Sequence, residues 1–192
     1  MKKFHKSTNV LVTGGAGFIG AALIRKLLEV TECNLFILDK LSYASDIEGI
    51  RKILDDKKYK KRLFFWEKDL TNFEATKDVI HKCDPDYVFH LAAESHVDRS
   101  IDKPLDFIQN NIIGTYNLLE VVRNHWFYLD KLRKDRFRFH HISTDEVFGS
   151  LDYKEKRFDE KTPYDPRSPY SATKASSDHL VRAWYHTYGL PI

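Results

Sequence analysis

Apolar residues fall along this chain in two alternating rhythms. Short unbroken runs, Asn9–Thr13, Leu35–Leu38, Leu63–Trp66, Tyr87–Leu91 and Phe137–Ser143, read as strands, the first of them buried on both faces. Between them, apolar positions recur every three or four residues. Phe18, Ile19, Ala22, Leu23, Leu27 and Leu28 predict a helix over Gly17–Glu29. Further helices are predicted over Asp46–Leu54, Phe73–Lys82, Pro104–Leu129 and Ser168–Tyr188, with Asp84-Pro85-Asp86 as a turn. Pro169 sits at the start of the last helix, where a missing N–H costs little. Such alternation packs as a doubly wound parallel sheet with helices on both faces, an α/β fold.

No repeat, linker or shift of composition marks a second domain, so residues 1–192 are read as one. The chain stops at Gly189-Leu-Pro-Ile192, where the next connection should feed a sixth strand. The edge of strand five is therefore expected to be unpaired, and the chain to be the front part of a longer protein.

Composition narrows the function. Hydrophobic residues at 42% and charged residues at 31% suit a soluble globular domain, and a net charge of +3 is too small to argue for nucleic acid. The densest basic run, Lys57-Lys58-Tyr59-Lys60-Lys61-Arg62, reads as a solvated connection. Cys33 and Cys83 have no metal-ligand spacing and suggest a reducing compartment. The basic N-terminus leads into an apolar run that glycines interrupt too early for a secretory or membrane segment. The expectation is a cytoplasmic protein with no metal, nucleic-acid or membrane partner.

Chemistry gathers where strands end. Thr13-Gly-Gly-Ala-Gly-Phe-Ile-Gly20 follows a strand and opens a helix. Gly14 permits a tight turn, Gly17 lets backbone approach a pyrophosphate, and Gly20 lets the helix pack on the strand. Asp39 ends the second strand, where a carboxylate accepts both ribose hydroxyls of an adenosine and disfavours a 2′-phosphate; Lys40 beside it weakens that exclusion slightly. Asp69, after the third strand, is placed to accept from an adenine amino group. After the fourth strand, Leu91-Ala-Ala-Glu-Ser95-His96 offers small residues to a cofactor and polar ones to a sugar, with Asp98 and Arg99 as a polar network.

After the fifth strand come Thr144, Asp145 and Glu146. Two adjacent carboxyls in a cleft do not both ionise easily, so one can stay an acid while the other acts as a base. Tyr170 and Lys174 lie four apart on a helix and share a face; an ammonium beside a phenol would make the phenolate a usable base. Proton abstraction with hydride transfer, coupled to loss of water, is the chemistry these two sets suggest.

Together these stretches resemble the extended short-chain dehydrogenase/reductase family, specifically the dTDP-glucose 4,6-dehydratases. Thr-Gly-Gly-Ala-Gly-Phe-Ile-Gly, Leu-Ala-Ala-Glu-Ser-His-Val-Asp-Arg-Ser, Ile-Ser-Thr-Asp-Glu-Val and Ser-Pro-Tyr-Ser-Ala-Thr-Lys-Ala-Ser carry the resemblance. It implies a Rossmann-like fold, here stopping before the nucleotide-sugar domain, and a homodimer. It implies NAD held by Gly14, Gly17, Phe18, Ile19 and Gly20 at the pyrophosphate, and by Asp39, Lys40, Leu41 and Ser42 at the adenosine ribose. Asp69 and Leu70 would lie near adenine, and Leu91, Ala92, Ala93, Ser95, Asn110, Tyr170 and Lys174 would also bind the cofactor. Ser95, His96 and Thr144 would meet the sugar of dTDP-glucose. Tyr170 would be the base for C4 oxidation, Lys174 would tune it, Thr144 would bond the 4-oxygen, Glu146 would take the C5 proton and Asp145 would protonate the departing 6-hydroxyl. Asn110 stands where the family usually has Thr, and Phe148 where Tyr is common. A UDP-glucose dehydratase shares the same run, a nucleotide-sugar 4-epimerase lacks the acid pair, and a non-catalytic NAD-binding sensor would need none of the catalytic side chains.

Overall fold

In the computed structural model, which describes residues 4–152 and 157–192, five strands form one parallel sheet. They are β1 (Asn9–Thr13), β2 (Asn34–Asp39), β3 (Leu63–Glu67), β4 (Tyr87–His90) and β5 (Arg138–His141), ordered β3-β2-β1-β4-β5. Val12 stands opposite Ile37 on one side and Phe89 on the other. The order reverses between β1 and β4, and in such sheets the crevice beyond the carboxyl ends at that point takes the ligand.

The connections are α1 (Phe18–Val30), α2 (Ile47–Leu54), α3 (Phe73–Cys83), α4 (Val97–Asp102), α5 (Pro104–Phe107), α6 (Gly114–Tyr128), α7 (Lys131–Arg136) and α8 (Pro169–Tyr188). Alternate strand residues serve opposite faces. Val10, Val12, Leu35 and Ile37 pack with Ile24 and Leu28 of α1 and Ile50 of α2. Leu11, Phe36, Leu38, Val88 and Phe139 pack with Val79 and Ile80 of α3, Leu118 and Leu119 of α6 and Val181 of α8. Truncating one such buried leucine to alanine costs about 2–5 kcal/mol. The helices thus hold both faces of the sheet and fix its carboxyl edge.

Caps set the boundaries that matter. Asn72 caps α3 by accepting from the Ala75 N–H, and Asp84 ends it in the left-handed region at φ 45°. Ser168 and Ser171 form a reciprocal capping box that starts α8 two residues before Tyr170, with Pro169 in its first turn.

The structure departs from the sequence expectations in three places. The helix expected over Pro104–Leu129 runs unbroken to Tyr128 but is not α-helical throughout: a π-helical segment, Ile108–Ile113, lies between α5 and α6. Apolar periodicity does not register a single widened turn, and this one brings adjacent Asn110 and Asn111 to partners from two different strand ends. Helices α4 and α7 were not expected, because six residues are too few to show a period, and α7 buries none of its own. The edge of β5 is not wholly unpaired: the Phe139 N–H donates to the Pro191 carbonyl at 2.9 Å, with Leu190 fully buried beside it.

Candidate active site

A cleft of about 430 Å³ lies at the reversal point, floored by the carboxyl ends of the strands. The glycine loop forms one wall. Gly14 turns the chain at φ +69°, and a Cβ there would stand 2.6 Å from the Ala92 nitrogen. A Cβ on Gly20 would stand 2.2 Å from the Gly14 carbonyl oxygen, so α1 can start this close to β1 only with glycine. Gly17 is the N-cap of α1; no side chain caps that end and its first turn holds no acidic residue. Its free N–H groups and positive end fit the pyrophosphate of a dinucleotide. Phe18, Ile19 and Gly20 line the cleft, with Phe18 91% exposed at its lip.

Asp39 is more committed than the sequence suggested. Its carboxylate accepts from the Ala16 N–H at 2.9 Å, the Leu41 N–H at 2.9 Å and the Ser45 hydroxyl at 3.2 Å. A carboxylate has about four acceptor positions, so roughly one remains for a ribose hydroxyl, where two bonds were expected. Leu41, at φ 55°, does not line the cleft; it is half-buried and packs against the core on the α1 and α2 face of the sheet. Ser42 does line it, together with Ala44, Ser45 and Lys68, which the sequence did not single out. Asp69 and Leu70 line the far end, where Asp69 also accepts from the Thr71 N–H at 2.8 Å.

Lys40 reaches across the cleft. Its ammonium donates to Glu94 and to Asn110, each at 2.8 Å. Leu91, Ala92, Ala93, Ser95 and His96 line the wall that follows β4, as does Asn110. The polar network expected around Arg99 is present: its guanidinium lies 3.6 Å above the Tyr43 ring, and the Tyr43 hydroxyl meets His96 Nδ1 at 3.1 Å. Asp98 takes no part in these contacts.

At the chemical end, Asp145–Phe148 form one 3₁₀ turn directly beyond β5, with Thr144 as its N-cap. Asp145 is exposed and Glu146 half-buried; Ser143 lines the cleft, but Thr144, Asp145 and Glu146, expected within it, stand just outside its lining. Phe148, where a tyrosine was the common expectation, packs its ring on Phe158 and Tyr164. Tyr170 and Lys174, 8% and 5% exposed, enter the cleft from α8.

The expected effect of Lys174 on Tyr170 is not what the geometry gives. The Lys174 ammonium points to the Ile142 carbonyl at 2.6 Å. Burial raises the Tyr170 phenol above its ordinary value; a hydrogen bond with Thr144 opposes that, while Glu146, Asp145 and Asp178 add to it. Burial takes the Lys174 ammonium from 10.5 to about 8, with Asp178 working against the fall.

Two buried polar anchors beneath the cleft went unnoticed in the sequence. Asn111, on the π-helical segment, accepts from the Glu94 N–H at 2.8 Å and donates to the Glu94 carbonyl and to Thr173, both at 3.0 Å. It joins the loop after β4 to the helix of Tyr170 and Lys174. His90 bridges Thr13 and Thr115 at 2.7 and 2.9 Å, and burial lowers its titration well below the usual range, so it is neutral. Among the described residues no cluster of three His, Cys, Asp or Glu could hold a metal, and no helix is long and apolar enough to cross a membrane.

Comparison with known proteins agrees with this arrangement. The family model described as GDP-mannose 4,6 dehydratase matches residues 11–192. The chain is 51% identical to a Haemophilus influenzae dTDP-glucose 4,6-dehydratase over 184 residues, covering 96% of this chain and 53% of that one. A Streptomyces venezuelae dTDP-glucose 4,6-dehydratase solved with NAD superposes with a TM-score of 0.81 at 37% identity, covering 94% of this chain and 52% of that one. A Thermus thermophilus UDP-glucose 4-epimerase, also solved with NAD, gives 0.78 at 30%, covering 94% and 52%. The chain spans about half the length of the curated relatives it matches. With its glycine loop, its strand order and this match over nearly all its residues, the chain belongs to the GDP-mannose 4,6 dehydratase family.

Proposed function

We propose that residues 1–192 are the NAD-binding domain of a dTDP-glucose 4,6-dehydratase. The observation that carries this reading is the Thr144-Asp145-Glu146 turn just beyond β5, all three of whose residues act on the Tyr170 phenol. The names of the relatives at about half identity support the sugar nucleotide, and the neighbours solved with NAD support the cofactor. An epimerase would use Tyr170 and leave the two carboxyls without a task.

The glycine loop and Asp39 would hold NAD, which would supply the reversible hydride exchange that oxidation at C4 and reduction at C6 require. Tyr170 takes the proton of the 4-hydroxyl, and Thr144 bonds the 4-oxygen. The resulting ketone acidifies the C5 proton, which Glu146 removes. Asp145 protonates the departing 6-hydroxyl, so water leaves across C5 and C6. Lys174, one helical turn beyond Tyr170, would bond the cofactor ribose. Ser95 and His96, on the wall after β4, contact the sugar. The product is a dTDP-4-keto-6-deoxyhexose. The protein works as a cytoplasmic homodimer, with exposed Ile101 and Leu105 of α4 and α5 supporting a subunit face.

The test is a proton NMR time course of the full-length protein with dTDP-glucose in D₂O. A C6 methyl with deuterium at C5 is expected, and Glu146→Gln should abolish both. A variant that still exchanges C5 and forms product would refute the assignment; a galactose-type anomeric signal would make the protein an epimerase.

A further inference from the structure

Tyr170 and Lys174 repeat at one helical turn along α8, and the next position on that face is Asp178. Asp178 is 6% exposed, and its carboxylate accepts three hydrogen bonds. They come from His141 Nε2 at 2.9 Å, from the Ser143 hydroxyl, and from the Tyr164 hydroxyl at 3.0 Å. His141 ends β5, Ser143 immediately precedes Thr144, and Tyr164 lies on the segment that leads into α8. The Ile142 carbonyl, between His141 and Ser143, accepts from Lys174. One turn of α8 therefore grips three successive residues at the end of β5.

We propose that Asp178 is a positioning residue of this site: its buried carboxylate ties the strand end that presents Thr144, Asp145 and Glu146 to α8, and supplies the negative charge behind the Tyr170–Lys174 pair. The role rests on the reading of Tyr170 and Lys174 as base and partner.

The groups around the pair leave that charge little competition. Burial pushes the Asp178 carboxyl up, but its donors outweigh burial and hold it below the ordinary value, so it is ionised at neutral pH. His141 of β5 and His90 of β4 are both lowered by burial and carry no charge there. His141 Nδ1 has no partner among the described residues, which fixes its proton on Nε2, facing Asp178. Asp145 and Glu146 act on Tyr170 from the 3₁₀ turn, and neither supports Lys174. Asp178 alone acts on both members, raising each.

Removing its charge must then lower both titrations together. The test is the pH profile of kcat/KM for Asp178→Asn in the full-length protein. The lower limb, which follows Lys174 at about 8, and the upper limb, which follows the raised Tyr170, are both expected to move to lower pH, each by about half a unit or more, a threefold change in protonation ratio. Asp178→Glu, which keeps the charge, should return both limbs towards the wild type. Limbs that stay in place in the amide variant, whether or not kcat falls, would overturn the proposal, since a merely structural residue lowers activity without moving them. If the amide variant does not fold, Asp178→Ser removes the same charge with a smaller side chain and carries the same expectation. A wild type that forms no product from dTDP-glucose sinks the dehydratase reading and not this one; the limbs are then read on NAD reduction by the nucleotide sugar it does oxidise.

Discussion

Asn111 is where a small change should separate a supporting hydrogen bond from a merely occupied position. It is 1% exposed, and its amide makes three bonds, two of them to the backbone of Glu94. Asn111→Ala leaves the buried Glu94 N–H and carbonyl without partners. At roughly 1–3 kcal/mol for each orphaned group, the expected loss is about 3–5 kcal/mol. That is a large share of the roughly 5–15 kcal/mol that holds a domain folded. Asn111→Asp is the sharper probe, because it keeps the volume and the acceptor for the Glu94 N–H. It turns an oxygen towards the Glu94 carbonyl, and Thr173 cannot compensate because its hydroxyl already donates to the Tyr170 carbonyl at 2.8 Å. The introduced carboxyl would hold a proton more readily folded than unfolded. Its penalty is then full at neutral pH and shrinks as pH falls, since the protonated form donates to Glu94 again. Urea midpoints at pH 7 and pH 5 measure this. An alanine variant less than about 1 kcal/mol weaker, or an aspartate deficit indifferent to pH, would refute the reasoning.

Three further outcomes follow from the cleft. Gly20→Ala puts a methyl 2.2 Å from a backbone oxygen that cannot retreat; NAD binding, measured by titration calorimetry, should weaken about tenfold or more, and an unchanged affinity would count against the pyrophosphate site. Glu94→Gln removes the carboxylate that holds Lys40, so a competition assay should show NADP gaining severalfold on NAD; no gain would mean that Lys40 plays no part in the choice. Lys174→Met should stabilise the unliganded protein at pH 7. A fall from 10.5 to about 8 represents roughly 3 kcal/mol of penalty on the ammonium, offset by about 1 kcal/mol for the lost bond to Ile142. The folded state holds that proton less tightly, so the penalty is full below pH 8 and vanishes between pH 8 and 10.5. A stability gap that does not narrow across that window would exclude it.

Much of the site was legible because its residues are sequence neighbours. The glycine loop, Thr144-Asp145-Glu146 and Tyr170–Lys174 each carry their chemistry within a few positions, and each stands at the carboxyl edge of the sheet, where the alternation of strands and helices puts it. What escaped notice pairs residues far apart in the chain. Lys40 meets Glu94 across 54 positions, and Asn111 meets Thr173 across 62. No local pattern reports such a pair. Asp39 was legible as a carboxylate at a strand end, but its three donors include Ala16 in the loop before α1, which only folding brings near. Asp178 continues the spacing of Tyr170 and Lys174 by one more turn, and that signal was available in the sequence.

The π-helical segment makes chain length a constraint at this site. A π turn holds one residue more than the α turn that it interrupts. Deleting any one residue from Ile108–Ile113 would let α5 and α6 join as one regular helix, and everything before the deletion would swing about 100° around the axis. Lys40 and Glu94 would then face the wrong side chains even if both asparagines survived. Substitution at the exposed positions of this turn should be tolerated, but shortening should not: the count of residues matters there more than their names.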